Sequence, residues 1–401
     1  MRVAIISSGL ISIPPIHGGA VEEYVYQLTR HLRAIGVDAV AVDFTLDKVL
    51  EYVEHDGALI AKIPITRFTR LPRERIIQEY FFGLRASRYI RDLGVDIVHA
   101  NTAWAGFALA MTLSNGMPLV YTCHNPLWPE EKVSISEHIV RLVEGYIMRK
   151  SKATIALNRT MMKSIAEKAH VDRRKIFITP NGVDTEFFKP GIVADDVVKK
   201  YRLEGKRMVL FVGRVTFVKG VHLLLKAFKK LAFEYNDLKL VIAGPLTDHF
   251  NGTELSPYAR KLMEYAKRVL PKGSYIFTGP IDRETLRKLY SAAYVCVLPS
   301  YVESFGMVLI EAMSSGCPVI GSSAGGIVDV IDDDITGFIF RMGDHKDLKK
   351  KLEMLVNDEM LRKIISANCR RIVKEKYGWR VVATKLRKVY KDIIAKYSSH
   401  T

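Results

Sequence analysis

The chain has 401 residues, 48% hydrophobic and 26% charged, with a formal net charge of +17. That much apolar chain exceeds one ordinary core and predicts two domains of roughly 100–200 residues each. Four scattered cysteines without metal-ligand spacing exclude a disulfide scaffold and a structural zinc, while the positive charge admits nucleic acid, an anionic membrane or an acidic substrate without choosing among them.

RVAIIS opens as a short β-strand and leads into the loop IHGGAVEEY at 16–24, after which VEEYVYQLTRHLRAIG has helical period. Gly18 and Gly19 permit close backbone approach to a ligand, and the helix start behind them favours an anion; a plain β-to-α turn explains the same residues equally well. Neither this turn nor the first one of the second half carries G-x-G-x-x-G, which argues against a dinucleotide oxidoreductase. Residues 61–91 hold eight Lys/Arg against Glu74 and Glu79, interleaved with Phe68, Tyr80, Phe81, Phe82 and Tyr89. Such a segment could touch an anionic membrane and reach a lipid-linked acceptor. A loop and helix packed into the first domain, arginines outward, is the simpler account. VDIVHAN and VYTCHNP then end two strands at a sheet edge and deliver His99, Asn101 and His124, of which His99 is as readily structural. ATIALN and TMMKSIAEKAH continue the same βαβ rhythm.

The rhythm restarts after the polar link FKPGIVADDVVKKYRLEGK, with RMVLFVGRV, the helix VHLLLKAFKKLAFEY, then LKLVIAG, SYIFTGP, AYVCVLPS and PVIGSS. Two doubly wound parallel-sheet domains are therefore expected to meet near residue 190. Ligands of such sheets bind at the carboxyl ends of the strands, so two of them facing each other would frame an interdomain cleft. In FVGRVTFVKG, Arg214 and Lys219 sit five residues apart beyond a strand end. They suit a diphosphate, with an ordinary charged surface loop as the alternative. In ESFGMVLIE, acids at Glu303 and Glu311 bracket an apolar run that reads as the start of a buried helix. The amides of Ser304, Phe305, Gly306, Met307 and Val308 would then be helix-start donors for a phosphate. VIDDDITG at 330–337 reads as an exposed loop, and charges in KDLKKKLEMLVNDEMLRK as a solvated helix face. The last segment, GWRVVATKLRKVYKDIIAKY, has helical period.

Gly18 and Gly19, the GRVTFVKG loop (Gly213, Arg214, Lys219, Gly220), the E-x7-E pair Glu303 and Glu311, NGVD at 181–184 and AGG at 324–326 occur together and in order. This constellation resembles the retaining glycosyltransferases of family 4, which have the GT-B architecture. The resemblance implies an N-terminal acceptor-side Rossmann-like domain at 1–190, a donor-binding Rossmann-like domain at 191–378, and a helix at 379–401 that crosses back to the first. It implies transfer of a sugar, most simply a hexose, from a nucleoside diphosphate to an acceptor hydroxyl of unknown identity. No metal or other cofactor is implied. By the same resemblance Arg214 and Lys219 hold the diphosphate with the amides of Ser304 to Val308. Glu311 takes the ribose, Glu303 and His124 attend the transferred sugar as the catalytic pair, and Gly18 and Gly19 approach the donor. Asn101, where relatives commonly have histidine, and Trp104 fall on the acceptor side. A nucleotide-sugar epimerase of related architecture and a non-catalytic nucleotide- or nucleic-acid-binding module are the alternatives; without an aromatic stacking pattern or recognition helix, nucleic acid is not expected as a partner. Only two glutamines accompany the many cations, a thermophile-like composition. No apolar run reaches the ~18–20 residues of a membrane span. A cytoplasmic protein is expected, with peripheral contact at the inner face of the membrane as its one possible membrane association.

Overall fold

The computed structural model describes all residues except 16–18, 67–73, 114–116, 125–134, 248–253 and 399–401, together with the side chains of 135–136 and 397–398. The chain divides into two compact units, Met1–Gly182 with Trp379–Thr401, and Val183–Gly378. Residues 183–190 thus fall in the second unit.

Unit 1 contains strands β1 (Arg2–Ile6), β2 (Asp38–Thr45), β3 (Glu51–His55), β4 (Ala58–Pro64), β5 (Ile97–Ala100), β6 (Leu119–Cys123), β7 (Ala153–Ala156) and β8 (Ile176–Ile178). Its helices are α1 (Ala20–Ala34), α2 (Glu74–Asp92), α3 (Ala103–Thr112), α4 (Ile135–Lys150) and α5 (Arg159–Lys168). The strand order is β3-β4-β2-β1-β5-β6-β7-β8, parallel throughout except for β3, which runs antiparallel to β4. The inner strands bury almost every residue, as strands covered by helices on both faces must. The edge strand β3 reads EYVEH and is mostly exposed, and its glutamates discourage edge-to-edge pairing.

Unit 2 contains β9 (Arg207–Val212), β10 (Leu238–Ala243), β11 (Tyr275–Gly279), β12 (Val295–Leu298), β13 (Val319–Ser322) and β14 (Gly337–Phe340), in the all-parallel order β11-β10-β9-β12-β13-β14. Its helices are α6 (Asp195–Lys200), α7 (Val221–Glu234), α8 (Pro257–Val269), α9 (Arg283–Ala292), α10 (Met307–Ser314), α11 (Ile327–Val330), α12 (His345–Asn357) and α13 (Glu359–Lys376). In each sheet the winding reverses once, between β1 and β5 in unit 1 and between β9 and β12 in unit 2. At such a reversal the loops leave in opposite directions and open a crevice at the strand ends.

The last helix, α14 (Trp379–Ser398), belongs to unit 1, where it packs along α1. Trp379, Val382, Leu386, Tyr390 and Ile393 share a buried cluster with Tyr24, Val25, Leu28 and Leu32. A side chain at Gly182 would overlap the Trp379 ring, which explains the glycine of NGVD. Val183 N donates to Tyr377 O (2.9 Å), and Asp184 accepts from the amides of Glu186 and Phe187. The four cysteines are buried and form no disulfide with one another. Among the described residues no helix is long and apolar enough to cross a membrane.

Candidate functional site

In unit 2 the crevice lies between the loops after β9 and β12, and their backbones pack directly. Gly220, at φ 68°, has no room for a Cβ beneath the Pro299 carbonyl, and Tyr301 N donates to Val218 O (2.7 Å). The Phe217 and Tyr301 rings stack with centroids 5.5 Å apart and planes 4° from parallel. His222, in the first turn of α7, stacks on both and places Nδ1 2.7 Å from Tyr258 Oη and Nε2 3.1 Å from Tyr301 Oη. This clasp holds Lys219 opposite Glu303, with Lys219 Nζ donating to Glu303 Oε2 at 2.7 Å in a half-buried ion pair. Arg214 is exposed on the same loop.

Glu303 is also fixed through its backbone. Its carbonyl accepts from Gly326 N (2.9 Å), and Gly325, at φ 49°, lies so close beneath it that no side chain fits. The AGG motif after β13 is therefore a buttress for the Glu303 loop. Helix α10 begins at Met307, later than the run of amides inferred from sequence, and Gly306 caps it at φ 94°. Ser304 and Phe305 precede the helix. Phe305 turns into the core, edge-on to Tyr377 at 5.9 Å. Leu309 N bonds Gly306 O (2.9 Å), so Met307 and Val308 supply the helix-start amides. Glu311 stands one turn into α10 and accepts from the fully buried Tyr290 hydroxyl (3.0 Å). Lys219 held by its ion pair, an exposed Arg214 on the same loop and a helix start at one sheet switch point suit a polyanion. The Asp332-Asp333-Asp334 run is a turn: Asp333 accepts from Ile339 N and Asp332 pairs with Lys376.

In unit 1, Gly18 lies outside the described residues. Gly19 caps α1 at φ 101°, and a Cβ there would come within 2.7 Å of the Glu22 carboxylate, which itself accepts from Ser8 Oγ. Asn101, at the end of β5, is buried and donates through Nδ2 to Ile6 O (3.2 Å) and His99 O (3.3 Å). Its Oδ1 must then accept, and it stands 3.3 Å from His124 Nε2. That puts the ring proton on Nε2 and leaves Nδ1 as the acceptor nitrogen. Burial lowers the His124 pKa to about 4, so the ring is neutral at ordinary pH. Tyr24 meets it edge-on at 4.7 Å. His99 is fully buried between Tyr390 Oη and Thr122 Oγ1, each at 2.6 Å, and burial lowers its pKa to about 3; it is a strut between β5 and α14. Trp104 stands in the first turn of α3, with its amide donating to Glu79 Oε1 (2.7 Å), and Ala105 N does the same at 3.2 Å.

Sequence reasoning missed Tyr24, Glu22, Glu79 and Tyr290. Glu22 carried a signal, an acid in the first turn after a double glycine. Glu79 carried another, as one of two acids in a strongly basic stretch.

Residues 18–187 match the family model described as Glycosyltransferase Family 4, and residues 194–372 the one described as Glycosyl transferases group 1. An uncharacterized glycosyltransferase of Methanocaldococcus jannaschii is 28% identical over 372 residues, covering 88% of this chain and 89% of that protein. Among solved structures, a sucrose-phosphate synthase from Thermosynechococcus elongatus superposes with a TM-score of 0.81 at 22% identity, covering 99% and 100% of the two chains. HepE of Anabaena, solved in complex with UDP-glucose, superposes with a TM-score of 0.74 at 19% identity, covering 98% and 100%. With both units matched, the chain belongs to the glycosyltransferases of family 4 and group 1 and is a glycosyltransferase of GT-B architecture.

Proposed function

We propose that the protein moves a sugar, with retention of its anomeric configuration, from a nucleoside diphosphate to an acceptor hydroxyl, using fixed protein charges rather than a bound metal ion. The observation that carries this reading is the Lys219–Glu303 pair at the unit 2 switch point, with Glu303 anchored by the Gly325–Gly326 turn. A related fold has been solved with UDP-glucose, which supports a nucleotide sugar as donor.

In this mechanism Arg214, Lys219 and the Met307 and Val308 amides take up charge on the leaving diphosphate as the bond between the sugar C1 and the phosphate oxygen lengthens. The acceptor oxygen bonds to C1 from the same face, and its proton passes to a diphosphate oxygen. Glu303 orients the sugar and stabilises the positive charge that develops at C1. Glu311, braced by Tyr290, accepts from the ribose hydroxyls. His124, held in this tautomer by Asn101, is neutral and with Nδ1 as acceptor takes a hydrogen bond from a sugar hydroxyl, while Trp104 serves the acceptor side.

A screen of nucleotide sugars by thermal shift identifies the donor, since a ligand at ~100 times its dissociation constant adds ~2.7 kcal/mol. With that donor, folded Lys219→Ala and Glu303→Ala proteins lose about 100- to 1,000-fold in turnover. Full transfer activity in both would sink the assignment, and isomerised donor without a new glycoside would convert it to an epimerase.

A further inference from the structure

Helix α3 carries a stripe of large apolar side chains that starts at the strand ends: Trp104, Phe107 and Met111, spaced i, i+3, i+7. The stripe does not stay on one helix. Phe107 meets Tyr80 of α2 (6.2 Å between ring centroids) on one side and Tyr146 of α4 (5.5 Å) on the other, and Tyr80 meets Phe81 (6.0 Å). An aromatic seam therefore crosses three neighbouring helices. It is only partly covered: Phe81 is 45%, Met111 57% and Leu142 59% exposed, and Leu142 lies one turn before Tyr146 on α4. Single exposed apolar residues need no explanation, but a contiguous patch on a protein this charged does.

The margin of the patch is basic. Arg85 and Arg88 follow Phe81 along the exposed side of α2, and Lys150 lies over the Tyr146 ring at 5.8 Å. Aromatic and aliphatic groups at the centre with cations at the edge match the boundary of an anionic bilayer, where rings enter the headgroup region and cations meet phosphate. We propose that this face of unit 1 seats on an anionic membrane and that the acceptor is a membrane-borne amphiphile, led along the α3 stripe to the strand ends at Asn101 and His124. The inference rests on the transferase reading for the acceptor and on the patch alone for the membrane.

The test is co-sedimentation of the full chain with vesicles of phosphatidylcholine alone and of phosphatidylcholine with phosphatidylglycerol. The chain should pellet with the anionic vesicles only. Arg85→Gln with Arg88→Gln should lower the partition coefficient about 30-fold, and Phe81→Ser with Leu142→Ser at least about 10-fold. Met354→Ser, an exposed apolar site of unit 2, should change nothing. All three proteins should keep the thermal shift given by the nucleotide sugar, which separates failure of this proposal from failure of the donor site. No sedimentation, or sedimentation that the unit 1 variants leave intact, overturns the proposal. So does a wild-type dimer that Leu142→Ser dissociates, because the patch would then join two copies of the chain.

Discussion

Gly325→Ala tests whether a residue that need touch no substrate controls the site. At φ 49° an alanine carries a left-handed penalty of about 1–2 kcal/mol. Its Cβ would also fall closer than 3.0 Å to the Glu303 carbonyl oxygen, so the Glu303 loop must retreat by roughly 1 Å. Gly273 separates the two effects: it has φ 85° and nothing within 4 Å of the place a methyl would take, so Gly273→Ala carries the strain without the displacement. Gly273→Ala should lose about 2–8 °C in melting temperature, and Gly325→Ala at least as much. Only Gly325→Ala should lose activity, about 100-fold in kcat/KM for the nucleotide sugar, equivalent to about 2.7 kcal/mol of barrier. Steady-state kinetics beside calorimetry decides it. If Gly325→Ala matches Gly273→Ala in activity, the AGG turn does not position Glu303.

Tyr290→Phe removes the hydroxyl that braces Glu311 and should raise the donor dissociation constant about tenfold, read by calorimetric titration, with kcat little changed. Glu144, on the buried face of α4 with Tyr121 Oη donating to it at 2.6 Å, has its carboxyl pushed from 4.5 up to about 8 by burial. The folded state thus holds a proton that the unfolded state releases, so its stabilising contribution is complete below 4.5 and is lost as pH rises through about 8. Glu144→Gln should flatten that loss, gaining on wild type by about 2 kcal/mol between about pH 6 and about pH 8 in urea melts. The kcat/KM profile should show no titration of His124 near the ordinary histidine value, because the ring protonates only near 4; an inflection near 6.5 that disappears in His124→Gln would refute its neutral state. Deleting residues 379–401 should unfold unit 1, since Trp379, Val382, Leu386, Tyr390 and Ile393 alone contribute roughly 10 kcal/mol, about the whole stability of a domain. Hydrogen exchange would then show protection surviving only in 183–378, and protection retained in both units would refute it.

The strand-helix rhythm was legible because inner strands of a covered parallel sheet are apolar without interruption, as in RMVLFV and LKLVIA, and their helices are amphipathic. Glu303, Glu311, Arg214 and Lys219 were legible as candidates because glycines and charges cluster at strand ends, where apolar segments give no reason for them. What was not legible is pairing across long separations. Nothing in the order of residues says that Lys219 meets Glu303 through 84 positions, that Glu303 leans on Gly325, or that His99 is held by Tyr390, 291 positions on. Helix α10 shows the local limit: a glycine at φ 94° starts the helix at Met307, and that backbone state is set by the packed loops around it.

The placement of α14 fixes an order of events during synthesis. Residues 183–378 leave the ribosome as one uninterrupted stretch and contain everything the second unit needs. The first unit, although begun earlier, lacks the side chains that close its core until Trp379 to Ile393 have been made. Its nascent sheet must wait through the translation of the second unit with the α1 face uncovered, so the unit begun first becomes native after the one begun second.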